Sequence, residues 1–155
     1  MHSGARLTNE DLHGSSSADD GEVIEADDHI AEVLSLPPGV PVLHIRRLRF
    51  ADGVPLSILE NFLASEFIDF SEADLRERGL YQLLRARGTS ISVARQRIGA
   101  RSATLEESKL LEIKARGPVL TMDRTAYSNN GRAIEYGHHC YRPDLYSFET
   151  TLVNK

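Results

Sequence analysis

Part of this chain is written twice. Sliding the segment from Asp28 to Ala51 by 77 positions lays Leu34 on Leu111, Leu36 on Ile113, Pro41-Val42-Leu43 on Pro118-Val119-Leu120 and Arg47 on Arg124. With one extra residue in the second turn, Gly53 then falls on Gly131. Each copy reads helix, Pro/Gly turn, strand, tight turn, strand. Two copies of one such unit in a short chain predict a single pseudo-symmetric domain with a cleft where the copies meet.

The 155 residues suffice for one domain with a real core. No apolar run approaches the ~18 residues that span a bilayer, and the opening MHSGARLTNEDLHG lacks the apolar stretch of a signal peptide. Cys140 is the only cysteine, which excludes an internal disulfide and fits a reducing cytoplasm. Charge is placed unevenly. Residues 1–28 hold eight acids and one base, whereas residues 29–155 hold fifteen acids and seventeen bases. The acidic arm repels DNA, and the body lacks the basic surface that neutralises phosphates, so this stretch is not read as a nucleic-acid binder. Fifteen of the eighteen bases are arginine, the side chain suited to bidentate grips on carboxylate or phosphate.

Residues 1–21 have loop composition and read as a poorly ordered arm before a domain at 22–155. Glu22 to Ala26 reads as a strand, and Asp28 as the N-cap of a short helix bearing Ile30, Val33, Leu34 and Leu36. Pro37-Pro38-Gly39 ends that helix. A hairpin follows, from Val42 through the turn Ala51-Asp52-Gly53 to Leu63. Ser71 and Asp74 have capping-box spacing before a helix with Leu80, Leu83 and Leu84, stopped by Gly88. Ser90 to Arg101 alternates as a strand. Thr104 and Glu107 cap helix 105–113, and the second hairpin turns at Asn129-Asn130-Gly131. Antiparallel strands with helices between them predict an α+β fold with a sheet of five to seven strands.

Side chains two apart on a strand share a face. Arg47 and Arg49 therefore point together, and burying them requires an anion or paired acids; a solvated arginine face is the alternative. Glu135, Gly137, His139 and Tyr141 share one face of the last strand, either as a polar pocket in which Gly137 leaves room for a ligand or as a solvent-facing stripe. His138 and His139 point oppositely and cannot chelate one ion, so no metal site is expected. Cys140 falls on the Ile134/Tyr136 side and reads as core. Arg142 and Asp144 read as a fastener of the strand end. Arg95 and Arg97 share a face and could add to an anion site or lie on an exposed strand face. No nucleotide-binding or hydrolase motif is present.

The run His44-Ile45-Arg46-Arg47-Leu48-Arg49-Phe50-Ala51-Asp52-Gly53-Val54-Pro55 resembles the R-x-R-x-x-x-G-x-P hairpin of UTRA domains, the effector-binding halves of GntR-type bacterial transcription regulators of the HutC subfamily. Gly79-Leu80-Tyr81-Gln82-Leu83-Leu84 resembles their S-L-Y-x-x-L helix. Gly131-Arg132-Ala133-Ile134-Glu135 with Tyr141-Arg142-Pro143-Asp144 resembles their closing G-x-P-x-E … Y-R-x-D. The resemblance implies a chorismate-lyase-like antiparallel sheet with flanking helices, no cofactor, and a small anionic metabolite, a sugar phosphate or a carboxylate, held by Arg47, Arg49, Tyr81, Glu135 and Tyr141. Three positions depart from the pattern: Gly79 replaces a serine, Leu59 stands where many relatives carry a carboxylate, and Ala133 replaces a proline. The first two shift the expectation from an amino-sugar phosphate toward a less polar ligand such as a carboxylate.

The resemblance further implies a ligand sensor, usually dimeric, that meets DNA only through an N-terminal winged helix which this chain does not contain. An enzyme is not expected, although chorismate lyase shares the implied fold and Glu135 with two arginines could serve elimination chemistry. A ligand-free dimerisation module is the other alternative.

Overall fold

A computed structural model describes residues 2–5, 15–18, 21–71, 74 and 80–154, the first two segments as backbone only. The two predicted hairpins are its centre: β4 (Pro41–Ala51) with β5 (Val54–Leu63), and β7 (Pro118–Ser128) with β8 (Ala133–Tyr141). The first turn closes on two residues because Asp52 and Gly53 both adopt positive φ, 51° and 78°, matching the twist of the strands.

The hairpins join through β5 and β8, antiparallel, with Ser57 opposite Tyr141, Glu60 opposite His138 and Leu63 opposite Glu135. The second copy lies 78 positions after the first here, so the pair Ser57–Tyr141 maps onto Glu135–Leu63. A pseudo-two-fold axis therefore passes through the Glu60–His138 pair. The backbone repeats as well. Ser35 and Glu112 (φ 53° and 55°), and Gly39 and Arg116 (φ 83° and 58°), are left-handed at the same 77-residue separation.

Three more strands complete the sheet. β2 (Ser15–Ala18) and β3 (Glu22–Glu25) share the outer edge of β4, at residues 47–50 and 41–44. β6 (Ile91–Ser102) lies against β7 at the opposite edge. The order β2-β4-β5-β8-β7-β6, with β3 beside β4, gives seven strands, all pairing antiparallel. A separate pair is formed by β1 (His2–Ala5) and β9 (Thr150–Val153), also antiparallel.

The repeated helices α1 (Asp28–Val33) and α3 (Leu105–Leu111) cover one face of the sheet. Ile30, Ala31 and Leu34 pack with Val42, Phe62 and Tyr136, and Leu111 packs with Ile58, Val119 and Cys140. Asp27, rather than Asp28, is the N-cap of α1. Its backbone is extended and its Oδ1 accepts from the Ile30 N–H at 2.8 Å, a bond that requires the cap three residues upstream. Cys140 is buried as expected.

The other face is covered by segments outside the repeat. Helix α2 (Leu80–Ala86) packs Leu80, Leu83 and Leu84 on Leu43, Ile45, Leu63 and Ala126. Tyr146 and Phe148, after β8, pack on Leu56, Leu59, Met122 and Tyr141. Ser71 Oγ accepts from Asp74 N at 3.1 Å, as the capping spacing predicts, whereas Gly79 lies outside the described residues. Gly88 ends α2 at φ 76°. Arg142 fastens the end of β8 by donating to both oxygens of Asp144 and to the Leu111 carbonyl.

At the start of α3 the capping box is complete: Thr104 Oγ1 accepts from Glu107 N, and Glu107 Oε1 accepts from Thr104 N. Arg101 adds a bidentate grip on Glu107 at 2.7 and 2.9 Å, holding that carboxyl at a pKa of about 2. Thr104→Ala is expected to cost about 1 kcal/mol in denaturant unfolding. A carboxyl with a depressed folded pKa stabilises above its ordinary value of 4.5 and loses that contribution as pH falls toward about 2. Glu107→Gln is therefore expected to flatten the stability–pH curve in that window, measured by thermal unfolding.

Candidate functional site

On the face beneath α2, four strands carry polar residues toward one another. β4 contributes Arg47, β5 contributes Ser57 and Asn61, β7 contributes Arg124, and β8 contributes Glu135 and His139. Asn61 is opposite Gly137, and Gly137 is opposite Arg124 on its other side; Leu59 lies between Arg47 and His139. Ser57, Asn61 and Glu135 are buried, Glu135 at 1% exposure.

Asn61 Nδ2 donates to Glu135 Oε1 at 2.7 Å. Beyond that bond the cluster is short of partners. Seven buried side-chain polar atoms among the described residues have no hydrogen bond, and six belong to this one face: Arg47 Nε, Ser57 Oγ, Asn61 Oδ1, Arg124 Nε, Glu135 Oε2 and His139 Nε2. A folded interior leaves few such atoms, because each forfeits its hydration without replacement. Six on one face make it a polar chamber within an otherwise apolar core, and Tyr81 is a further hydrogen-bonding neighbour of Glu135.

The electrostatics agree. Burial pushes the Glu135 carboxyl above its ordinary pKa, against the pull of its hydrogen bond to Asn61 and of Arg124 and Arg47. Burial and the neighbouring Arg49 lower the pKa of Arg47, and Glu135 offsets part of this. His139 is held neutral, its pKa lowered to about 3 by burial and then by Arg47. Burial raises the pKa of Tyr81, and the nearby Glu135 raises it further. The Arg124 guanidinium lies over the Tyr81 ring, 4.9 Å from its centroid. Tyr81 and Arg124 also line a cleft of about 320 Å³ with Leu84, Arg85, Thr89, Ser90 and Ile91.

Gly137 is the floor of the chamber. A Cβ there would stand 2.9 Å from His139 Nε2 and 3.3 Å from both Asn61 Nδ2 and Glu135 Oε1. The room expected above this glycine is thus taken by three converging polar side chains.

Of the five site residues expected from sequence, Arg47, Tyr81 and Glu135 come together. Arg49 lies on the same face one step along β4, opposite Ser57. Tyr141 is buried in the aromatic cluster with Tyr146 and Phe148 and reaches the chamber through His139, whose Nδ1 lies 3.3 Å from the Tyr141 hydroxyl. Arg124, Asn61, Ser57 and His139 had not been selected. The repeat carried the signal for Arg124, since it lays Arg47 on Arg124. Arg95 and Arg97 are on the edge strand β6 and on the opposite face, opposite Thr125 and Asp123, and both are exposed. His138 also faces that side and pairs with Asp123. No metal-binding group of His, Cys, Asp or Glu exists among the described residues, and none of their helices is long and apolar enough to cross a membrane.

A family model described as the UTRA domain matches residues 17–147. The HTH-type transcriptional repressor NagR of Bacillus subtilis is 29% identical over 130 residues, 83% of this chain and 54% of the repressor. The chain spans about half the length of the curated relatives it matches. A crystal structure described as a transcriptional regulator from Streptomyces coelicolor shares 37% identity over 99% of both chains, with a TM-score of 0.88. The effector domain of PhnF from Mycobacterium smegmatis superposes with a TM-score of 0.78 at 26% identity, covering 94% of this chain and 91% of that one.

The chamber predicts a pH signature. An acid whose folded pKa is raised makes the protein less stable as pH climbs from the ordinary value, 4.5, through the raised one. Glu135→Gln removes that penalty. It is expected to raise the melting temperature of the ligand-free protein at pH 7.5 and to leave it little changed at pH 4.5.

Proposed function

Because the chain belongs to the UTRA family, the effector-binding domains of GntR-family transcriptional regulators, we propose that its chamber is the effector site and that a small anionic metabolite fills it. The observation that carries this reading is the set of six unpartnered buried polar atoms, two of them on guanidinium groups. An anion between Arg47 and Arg124 supplies the charge whose absence makes their burial costly. Tyr81 closes the chamber from α2, and Arg49 strengthens its positive end.

The signal reaches DNA through a domain outside this chain. Strand β2 pairs Ser16 with Arg49 and Ala18 with Arg47. The arm leading toward the N-terminus is thus hydrogen-bonded to the strand that holds the anion. An effector that draws Arg47 inward biases the pose of that arm, and with it the spacing of two DNA-reading domains. The same reading makes the protein a cytoplasmic sensor with no catalytic role.

A homodimer completes the proposal, formed along β6. This edge runs for twelve residues with Val93 and Ile98 exposed at 59% and 49%. A long open edge without proline or lysine invites pairing with a second strand. Val93→Lys combined with Ile98→Lys is expected to give a folded monomer in sedimentation equilibrium; an unchanged oligomer would place the interface elsewhere.

The site is tested by a thermal-shift screen of carboxylates and sugar phosphates. A compound that raises the melting temperature of the wild type is expected to bind roughly tenfold or more weakly to Arg47→Ala and to Arg124→Ala in calorimetry. Unchanged affinity in both variants would remove the site assignment. Turnover of chorismate to 4-hydroxybenzoate would replace the sensor with an enzyme.

A further inference from the structure

On the sheet face opposite the chamber lies a second groove, of about 560 Å³, between α1 and the β6 edge. His29 and Glu32 on α1 line one wall, Arg95 and Arg97 on β6 the other, and Asp123 and Tyr136 the floor. Neither arginine forms an ion pair or a hydrogen bond with a described residue. Asp123, opposite Arg97 in register, is engaged by His138 at 2.5 Å. Glu32 stands across the groove and pairs with neither arginine. Two guanidinium groups on one face of an open, exposed edge strand are thus left to solvent.

Pairing this edge with that of a second copy changes what the arginines meet. Antiparallel strands related by a two-fold axis normal to the sheet keep like faces together, so the axis passes through a residue position. The twelve residues of β6 overlap most fully with that axis at Gln96 or at Arg97. An axis at Arg97 sets its side chain directly opposite its own copy and Gln96 opposite Ile98. An axis at Gln96 brings the two Gln96 amides together, and Ile98 of each copy covers Ala94 of the other. These pairs sit on the chamber side, where Ala94, Gln96 and Ile98 are opposite Ala126, Arg124 and Met122. Cross-strand pairing therefore favours the axis at Gln96. On the groove side the same register sets Arg95 of each copy opposite Arg97 of the other. Two arginine pairs then face each other at about 5 Å between Cβ atoms, and like charges so placed oppose pairing. The grooves of the two copies adjoin along this seam.

We propose that a multivalent oxyanion of the phosphate type sits on the seam, held by Arg95 and Arg97 of both copies, and that the β6 dimer is tight only when it is bound. Guanidinium groups grip phosphate oxygens through paired N–H donors, and a multiply charged anion offsets repulsion that a single carboxylate leaves largely in place. One copy offers half of the site, so the site is incomplete without its partner. The proposal rests on the dimer along β6 and is independent of the chamber's occupant. Free phosphate and the phosphates of a nucleotide share this chemistry.

The test is sedimentation equilibrium of the full chain in chloride, in inorganic phosphate and in a nucleoside triphosphate, all at one ionic strength so that general screening is equal. The wild type is expected to dimerise at least about tenfold more tightly with one of the two phosphate probes than in chloride, which also identifies the source. Arg95→Gln combined with Arg97→Gln is expected to dimerise in chloride and to lose the dependence on phosphate. Arg47→Ala is expected to keep that dependence. A wild-type dimer equally tight in all three buffers overturns the anion site and leaves the edge dimer standing. A dependence lost in Arg47→Ala but kept in the Arg95/Arg97 variant places the anion in the chamber and overturns the seam site. An oligomer indifferent to Val93→Lys with Ile98→Lys overturns both the edge dimer and the anion site.

Discussion

The antiparallel pairing of β5 with β8 is the constraint on which the rest of the structure depends. Each hairpin alone has one apolar face to bury and an open edge. Joining the two through their inner strands places Glu60 opposite His138 on the pseudo-axis and fixes every other register in the sheet. A slip of β8 by one residue would turn Glu135 and His139 to the far face and bring Tyr136 and Cys140 into the chamber. The packing of α1 and α3 on that far face opposes such a slip, since Phe62 and Tyr136 are held by α1, and Cys140 by the cluster around Leu111.

The chamber is a local violation of the rules that the remainder of the domain obeys. Elsewhere, many polar groups are matched: Thr104 with Glu107, Arg101 with Glu107, Arg142 with Asp144. On the axis, six atoms are left without partners and Glu135 is 1% exposed. Unmatched buried polar groups cost stability, so six on one face single that face out as the candidate site. The rigid sheet makes this possible, because all six groups stand on strands whose register leaves little freedom to relax toward one another.

Much of the fold was legible because its signals are local. Hairpin turns, the Thr104–Glu107 capping box, the Gly88 stop and the alternation of β6 each depend on a few adjacent residues. Where a local rule had two adjacent candidates, as at Asp27 and Asp28, only the hydrogen bond to Ile30 decided between them. The site was legible in part. Face alternation placed Arg47 with Arg49 and Glu135 with His139 and Tyr141, but could not say which members of a face meet across strands. Arg124 and Asn61 enter the chamber through cross-strand neighbours far away in sequence.

The sequence by itself determined the repeated unit, its turns and caps, and which side chains share a face of each strand, because those follow from periodicity within one element. Only the tertiary structure decided that the Arg124 guanidinium lies over the Tyr81 ring, that the Tyr141 hydroxyl stands beside His139 Nδ1, and that Arg95 and Arg97 stand on the opposite face at the sheet edge. Those outcomes depend on strand order and register. Both are set by the burial of apolar surface on two sides of one sheet at once, a condition that no segment of the chain expresses alone.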